Sequence, residues 1–422
     1  MATETRNRPA ELSPIQGYSG MPRADPPAAG RAMGRGTFLK TSGGAVAVLA
    51  VAAGGVGTWR AIDQGVFATG EGSAYAAWNE GAGTAAGGAV DLVRAVVLAA
   101  NAHDSQPWLF QVAPDRIELR ADEGRNLGVI DPLRREMHLS LGCALENLLL
   151  AAAPHGYRYE LLLLPNPRDT AHIATIRLRA GAAPVSPLYA AIPERHTNRG
   201  PYDTARAVGA GTLRSMQALN TVPEIAVVWY TGTAEKLAFF RLTLRATEAF
   251  ITDRQQSIDD FAWWRGDWAE LQRKKDGITL DASGLPPLTR TLGKMLPQTR
   301  ASNDQAWLDN TRNPQLSTAA AFGIIMARMP RNRHLWLEAG RLWQRMHLWG
   351  TTEGLAMQPL NQTVERAERE QTAGLRPEIG ASLQALLPGH GWHPLMPFRI
   401  GYPTVEALKS PRRLAQDVTT TA

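Results

Sequence analysis

Leu139-Ser-Leu-Gly142-Cys-Ala-Leu145-Glu-Asn-Leu148-Leu-Leu150, closed by Gly156-Tyr157, is followed 198 residues later by Leu337-Glu-Ala-Gly340-Arg-Leu-Trp343-Gln-Arg-Met346-His-Leu348, closed by Gly354-Leu355. Leu139 aligns with Leu337, Gly142 with Gly340, Leu150 with Leu348 and Gly156 with Gly354, without a gap. In both stretches apolar residues return three and four positions apart, which on an α-helix makes one buried face. The glycine in the first turn of each removes the Cβ that would hold another backbone away. A repeat of this length predicts two copies of one structural unit. One polypeptide is therefore expected to build what a symmetric homodimer builds from two.

Two further stretches carry chemistry, one ahead of each copy. The first is Ala100-Asn101-Ala102-His103-Asp104-Ser105-Gln106-Pro107-Trp108-Leu109-Phe110, and the second is Arg195-His196-Thr197-Asn198-Arg199 followed by Gly200-Pro201-Tyr202. Two guanidiniums four residues apart, with a hydroxyl between them, can face one anion from a single helical turn. Arginine suits that task because its planar fork donates paired, charge-assisted hydrogen bonds. Asn101, His103 and Gln106 offer polar side chains to a ligand, while Pro107 stiffens the chain and Trp108 opens an apolar strand. Taken singly, the arginine stretch also reads as a solvated basic turn, and the Gln-Pro-Trp stretch as an ordinary helix-to-strand loop.

Together the two motifs resemble those of the FMN-dependent nitroreductase family, whose phosphate motif is Arg-x-Ser/Thr-x-Arg and whose flavin motif is Pro-Ser-x-x-Asn-x-Gln-Pro-Trp. The likeness is to the internally duplicated, Acg-type branch, over roughly residues 73–413. It implies that Arg195, Thr197 and Arg199 hold the flavin phosphate, and that Asn101, His103 and Gln106 approach from the other half. It also implies backbone near Leu355 passing the ring, and Arg412 and Arg413 of Ser410-Pro411-Arg412-Arg413 assisting at the phosphate. Two positions depart from the pattern: Asp104 stands where the family has Asn, and Asn101 where it has Ser. The first half carries no arginine between Gly72 and Trp78, and Asp304-Gln305-Ala306-Trp307 is only a faint echo of Gln-Pro-Trp. One composite site is thus expected, with one FMN per chain, in a monomer acting as a pseudo-dimer.

The same resemblance implies a ping-pong cycle in which NAD(P)H, as co-substrate, reduces the flavin and a small aromatic, nitro or quinone-type acceptor takes the hydride. Flavin carries that chemistry itself, so no catalytic side chain is assigned. A flavin-sequestering protein with little turnover is the competing expectation, and an envelope-anchored structural protein that has lost flavin is a third. No metal ligands are assigned: His390-Gly-Trp-His393 has a spacing zinc sites use, but no cysteine or evident carboxylate accompanies it.

From Arg195 to Gly340 is 145 residues, against about seventy from Gly72 to Gly142. The surplus falls at about 234–307 and includes Phe261-Ala-Trp263-Trp264-Arg-Gly-Asp-Trp268 and Gly284-Leu-Pro-Pro-Leu288. By the resemblance it is a lid over the flavin. It also reads as a satellite helix pair, or as an amphipathic helix facing a membrane.

Residues 1–32 are rich in Pro, Ala, Gly and charge and are expected to be a disordered tail. Residues 33–60 have the layout of an export signal: Arg35-Gly36-Thr37-Phe38-Leu39-Lys40, then an uncharged Ala/Gly/Val run over 41–59. The order is similar to a twin-arginine signal with Gly36 in place of the second arginine. A weak membrane anchor in the cell envelope or periplasm, or a vestigial cytoplasmic extension, are the alternatives. The formal charge of +6 is modest, and residues 1–40 supply half of it with six basic against three acidic residues. That balance points away from a nucleic-acid face. A single cysteine, Cys143, rules out a disulfide framework within the chain.

Periodicity predicts helices over 91–101 and 139–153. It predicts strands over 108–112, 116–121, 158–164, 173–179, 224–230, 321–327 and 398–402. Irregular alternation with hairpins predicts an α+β nitroreductase-like sandwich, not a Rossmann fold. The expected domains are repeat one over 70–185 and repeat two over 186–420.

Overall fold

The computed structural model of the chain describes residues 56–80 and 88–421. The chain divides into a unit of residues 1–57 and one of 58–422. Of the first, residues 56 and 57 are described, at the start of a helix Val56–Asp63. The expected tail over 1–32 and most of the signal-like segment over 33–60 lie outside the described residues.

The second unit holds two sheets. The first is five-stranded, in the order β3-β4-β2-β1-β9, from β1 (Trp108–Ala113), β2 (Arg116–Ala121), β3 (Tyr157–Leu163), β4 (His172–Ala180) and β9 (Thr419–Thr421). The second is four-stranded, in the order β5-β6-β8-β7, from β5 (Ile225–Tyr230), β6 (Ala321–Ala327), β7 (Ala356–Pro359) and β8 (His393–Gly401). Read from the other edge, the second order is 7-8-6-5 against 3-4-2-1 in the first. Both four-strand sets are antiparallel throughout. Each carries an extra residue at the same place: Ile173 in β4, between the partners of Leu119 and Arg120, and Leu395 in β8, between the partners of Ile325 and Met326. A bulge at matching positions bends the two sheets alike.

Each sheet carries one long helix, and the two helices pack on each other. Helix α1 (Arg135–Ala152) joins β2 to β3, and α2 (Arg333–Thr352) joins β6 to β7, with first residues 198 apart. Side-chain acceptors meet the free amides at both starts. Asp131 accepts from the amides of Glu136 (3.0 Å) and Met137 (2.9 Å), and Asn332 accepts from that of Leu335 (3.1 Å). Beyond both helices the chain turns through a left-handed glycine, Gly156 at φ 78° and Gly354 at φ 68°.

The two helices cross on their glycines. A Cβ on Gly142 would lie 2.1 Å from the Leu337 carbonyl oxygen, and one on Gly340 would lie 2.1 Å from that of Leu139. Leu139 and Leu337 stand at the same 198-residue offset as the two glycines, so the two contacts are made by corresponding atoms. Around the crossing Leu141, Ala144, Leu145, Leu337, Leu342 and Met346 are fully buried and join both sheets in one core.

Strands β1 to β6 begin and end within about a residue of the bounds read from the sequence, whereas β8 starts at His393, ahead of the expected 398; in β1 the alternation is clean, burying Trp108, Phe110 and Val112 and exposing Leu109 and Gln111. In contrast β6 is buried at every position, as a central strand covered on both faces must be. Between β1 and β2 the chain needs two residues, Pro114 and Asp115. Between β5 and β6, the matching pair, it runs through residues 231–320. That stretch forms α3 (Thr233–Thr252), α4 (Arg254–Phe261), α5 (Trp268–Lys274), α6 (Pro287–Met295) and α7 (Arg300–Asn310). Helix α3 packs on the second sheet through Phe239, stacked on Phe322 at 4.4 Å between centroids. Among the described residues no helix is long and apolar enough to cross a membrane.

Candidate functional site

A cavity of about 220 Å³ opens where the two halves and the 231–320 stretch meet. From the first half it takes Ala100 to His103 and one face of α1: Glu136, Leu139, Ser140 and Cys143, spaced three and four apart. From the second half come Thr197, Arg199, Trp343 and the run Gln358 to Gln362 after α2. Trp264, Ile278, Leu280, Ser283, Asn303 and Trp307 of the long stretch close it. Residues expected from opposite halves, Asn101 and His103 against Thr197 and Arg199, therefore face one space.

The loop over 101–107 is tightly wound. His103, Asp104 and Gln106 all have positive φ, at 51°, 52° and 50°, a conformation that costs a non-glycine residue about 1 kcal/mol or more. What holds it is a set of bonds to other elements. Asn101 Oδ1 accepts from the Gln106 amide at 2.8 Å, and the Ala102 amide donates to Ser140 Oγ at 3.0 Å. Gln106 is fully buried, donates to the Lys275 carbonyl at 2.9 Å and accepts from the Arg413 amide at 2.8 Å. Gly277 adds an amide donor to the Asp104 carbonyl at 3.2 Å. Gln106 thus pins the loop to the covering stretch and to the C-terminal segment, and it does not line the cavity.

Behind the cavity lies a buried cluster of guanidiniums. Arg195 donates to the Leu98 carbonyl at 3.0 Å and Arg412 to the Ala99 carbonyl at 3.4 Å, so the two sit on consecutive peptide groups. Arg412 also pairs with Asp104 and lies over the Trp78 ring. Burial, with Arg412 close by, pushes Arg195 down to about 9. Burial likewise pushes Asp104 up to about 6, against the opposing pull of Arg412. The Nε atoms of Arg195, Arg412 and Arg413 are buried without an acceptor. Arg199 donates to the Ala282 carbonyl at 3.0 Å and is the one guanidinium on the cavity wall among the described residues.

Arg399 ties this region together. It is fully buried, donates to Gln358 Oε1 (2.7 Å), the Gln315 carbonyl (2.8 Å) and the Gly200 carbonyl (2.8 Å), and lies 3.9 Å over the Tyr202 ring. The arginine turn and the Gln358 segment are positioned by this one side chain. Gly284, at φ 73°, lets the covering stretch approach the backbone of Arg199, where a Cβ would meet the carbonyl carbon at 2.3 Å.

The predicted positions thus divide. Asn101, His103, Thr197 and Arg199 line the cavity; Arg195, Gln106, Arg412 and Arg413 lie behind it. Leu355 is buried away from it, its amide bonded to the Gly350 carbonyl at 2.8 Å, and Gln358 to Gln362 stand on the wall instead. Ser73, Tyr75 and Trp78 pack beneath the covering stretch and the C-terminal segment, Ser73 on Gln272 and Trp78 on the Ser410 carbonyl.

Sequence reasoning missed the acidic part of the wall. Glu136, Glu365 and His103 each bring a ligand atom within 4.8 Å of the others. His103 Nε2 lies 2.9 Å from Asp260 Oδ1. Burial pulls the imidazole down, but the bond and charge of Asp260 outweigh it and leave His103 above its ordinary value. Burial, then the charge of Glu136, hold Glu365 well above the usual carboxylate range. Glu136 had a legible signal, lying three residues before Leu139 on the same helical face. Asp260 and Glu365 come from segments without a motif. Burial pushes the Cys143 thiol up to about 12, so it stays protonated on the cavity wall.

No family model matches the chain. It is 34% identical over 148 residues to a Mycobacterium tuberculosis H37Rv protein provisionally named as an NAD(P)H nitroreductase, Rv3131; the match takes in 31% of this chain and 42% of that one. It is also 34% identical over 74 residues to the NAD(P)H nitroreductase provisionally so named, acg, from the same strain, covering 18% and 22%. The chain thus spans less than half the length of these curated relatives. Among solved structures, the FMN-dependent nitroreductase NfnB from Mycobacterium smegmatis in complex with NADPH is 17% identical, with 55% of this chain and 96% of that one covered and a TM-score of 0.33. A nitroreductase with bound FMN from Bacteroides fragilis is 15% identical, with 55% and 95% covered and a TM-score of 0.31. The sequence is similar to NAD(P)H nitroreductases, and the fold is mixed α and β.

Proposed function

We propose that this chain is an FMN-binding oxidoreductase of nitroreductase type, in which NAD(P)H reduces the flavin and a small aromatic, nitro or quinone-type acceptor reoxidises it. The observation that carries the reading is the shared cavity, with Asn101 and His103 from one half facing Thr197 and Arg199 from the other. A single-chain pseudo-dimer is supported by the common strand order, the matched bulges and the paired glycine crossing. Among the described residues there is one site of this kind, which supports one FMN.

The residues present fit the cofactor. Guanidinium Nε atoms buried without acceptors mark a region short of negative charge, which a phosphate dianion supplies. Arg199 and Thr197 are placed to touch the phosphate, while Arg195 and Arg412 raise the positive field behind it. Asn101 spends its side chain holding the loop through the Gln106 amide and the Ala99 carbonyl, His103 borders the rest of the ligand with its Nε2 held by Asp260, and Gln106 keeps their loop in place. Bound there, FMN would supply the hydride chemistry. The protonated Cys143 thiol takes no nucleophilic part.

Absorbance of the purified protein tests this. Arg195→Ala with Arg199→Ala should abolish the flavin spectrum, and unchanged flavin content would refute the phosphate assignment. The second reading, a flavin-sequestering protein, is favoured by the wall that Trp264, Leu280 and Trp307 place over the cavity. Bleaching by added NAD(P)H separates the two. We propose envelope placement through residues 33–60, to be checked by cell fractionation with and without that segment.

A further inference from the structure

Among the described residues, the four most exposed large apolar side chains are Trp59 (65%), Ile62 (66%), Phe67 (74%) and Leu288 (68%). The first three lie on the helix Val56–Asp63 and the turn after it, the fourth on α6 (Pro287–Met295). These distant stretches touch: Arg60 Nε donates to the Met295 carbonyl at 2.8 Å, and Lys294 Nζ to the Gly65 carbonyl at 3.1 Å. Leu296, half-exposed, follows Met295 at once. Single exposed hydrophobics are ordinary on a protein surface, whereas a cluster of them marks a contact face.

Their support is closely packed. Gly65 is left-handed at φ 60°, and a Cβ there would stand 2.3 Å from the Trp268 ring, so the turn is pressed against α5. Ala61 is turned inward, while Trp59 and Ile62, three positions apart, share the outer side of their helix. Arg290 and Lys294 of α6 are drawn to Asp281 at 3.4 and 2.7 Å, which leaves Arg60 and Asp63 as the exposed charges beside Trp59 and Ile62. The chain itself indicates what covers this face. The uncharged run over 41–59 ends at Trp59, with Arg60 next. A bilayer that takes up this run meets Trp59 at the level of its headgroups, where an indole ring and a flanking arginine are favoured.

We propose that Trp59, Ile62, Phe67, Leu288 and Leu296 form a face that seats this protein on a lipid bilayer. The rings enter the headgroup boundary and the aliphatic side chains the upper acyl layer. The inference rests on the envelope placement through residues 33–60 and adds which side of the folded body meets the lipid.

The test uses the full chain with a polarity-sensitive fluorophore on one introduced cysteine, the buried and protonated Cys143 thiol taking no label. Vesicles of equal parts phosphatidylcholine and phosphatidylglycerol are added, and flotation reports binding separately. A label placed by Phe67→Cys or Leu288→Cys should shift to the blue and be quenched by brominated lipid. One placed by Tyr159→Cys, exposed on the edge strand β3, should do neither. Phe67→Ser with Leu288→Ser should weaken vesicle binding about tenfold, and unchanged binding overturns the proposal. Flotation with the Phe67 and Leu288 labels still in water overturns this face and leaves an anchor through 33–60 standing. Absence of flotation overturns the face as well, while cell fractionation still decides the placement. Labels shielded before lipid is added also overturn it: a shift that grows with protein concentration makes the face a contact between copies of this chain, and one that does not means a cover from within the chain.

Discussion

Replacing Gly142 with alanine should destabilise the protein, although the same change in an exposed helix stabilises it. The added Cβ would stand 2.1 Å from the Leu337 carbonyl oxygen and 3.0 Å from the Gly340 Cα. Both are backbone atoms of α2, so no rotamer change can relieve the contact. To reach an ordinary separation of about 3.2 Å the helices must part by about 1 Å, along a crossing that lies in the middle of the core. Overpacking of this kind costs about 1–3 kcal/mol, and more where backbone must shift. Alanine returns up to about 1 kcal/mol of helix propensity. A net loss of about 2 kcal/mol is expected, and Gly340→Ala should match it because its Cβ meets the Leu139 carbonyl at the same 2.1 Å. Thermal unfolding followed by circular dichroism measures the effect. Gly380→Ala is the control, since that helical glycine has its nearest neighbour, the Ala367 Cβ, at an ordinary 3.5 Å and should gain stability. If Gly142→Ala also gains, the two repeated helices do not touch at their glycines and the central packing described above is wrong.

Two other outcomes follow. Burial pushes His138 down to about 4 and His196 to about 3, and also holds His347 well below its ordinary value. With folded values below the unfolded 6.5, the unfolded chain takes up protons first, so stability is full above pH 6.5 and falls as pH drops towards 4. The His138 shift alone corresponds to roughly 3 kcal/mol. Because Asp104 and Glu365, held above the usual carboxylate range, act in the opposite sense over the same window, the imidazoles are followed directly: NMR titration should find His138 still neutral in the folded chain at about pH 5, and proton uptake above about pH 6 would mean it is not buried neutral. Deleting residues 261–296 should speed reduction by NAD(P)H, measured by stopped-flow bleaching at 450 nm or so; a rate unchanged from the full chain would show that this stretch does not gate the cavity.

Much of the scaffold was legible because it rests on local periodicity. The strands over 116–121 and 321–327 emerge with the bounds read from the sequence, and the repeated glycines lie at the backbone contact they predict. Helix α1 starts four residues earlier than read, at Arg135, because Asp131 caps it from outside the apolar pattern. Strands β7 and β9 were not anticipated: one is four residues long and the other three, too short for alternation to register. At the site, Asn101, His103, Thr197 and Arg199 could be named because motif residues lie close together along the chain. The same reading could not tell that Arg195 turns inward onto the Leu98 carbonyl while Arg199 faces the cavity, since both satisfy the same spacing.

What the sequence by itself determined is that which travels with short-range order: two like helices, antiparallel hairpins, a cationic turn and a Gln-Pro-Trp loop. What only the tertiary structure decided is which side chains from distant segments share one dry space. Glu136, Asp260 and Glu365 lie more than a hundred residues apart in the chain, and each alone reads as an ordinary surface acid. Their meaning arises when helix packing removes water from all three at once: Asp260 is met by His103, Glu136 by Arg135, and Glu365 is held well above the usual carboxylate range, because an unpaired charge costs little in solvent and a great deal in a cavity.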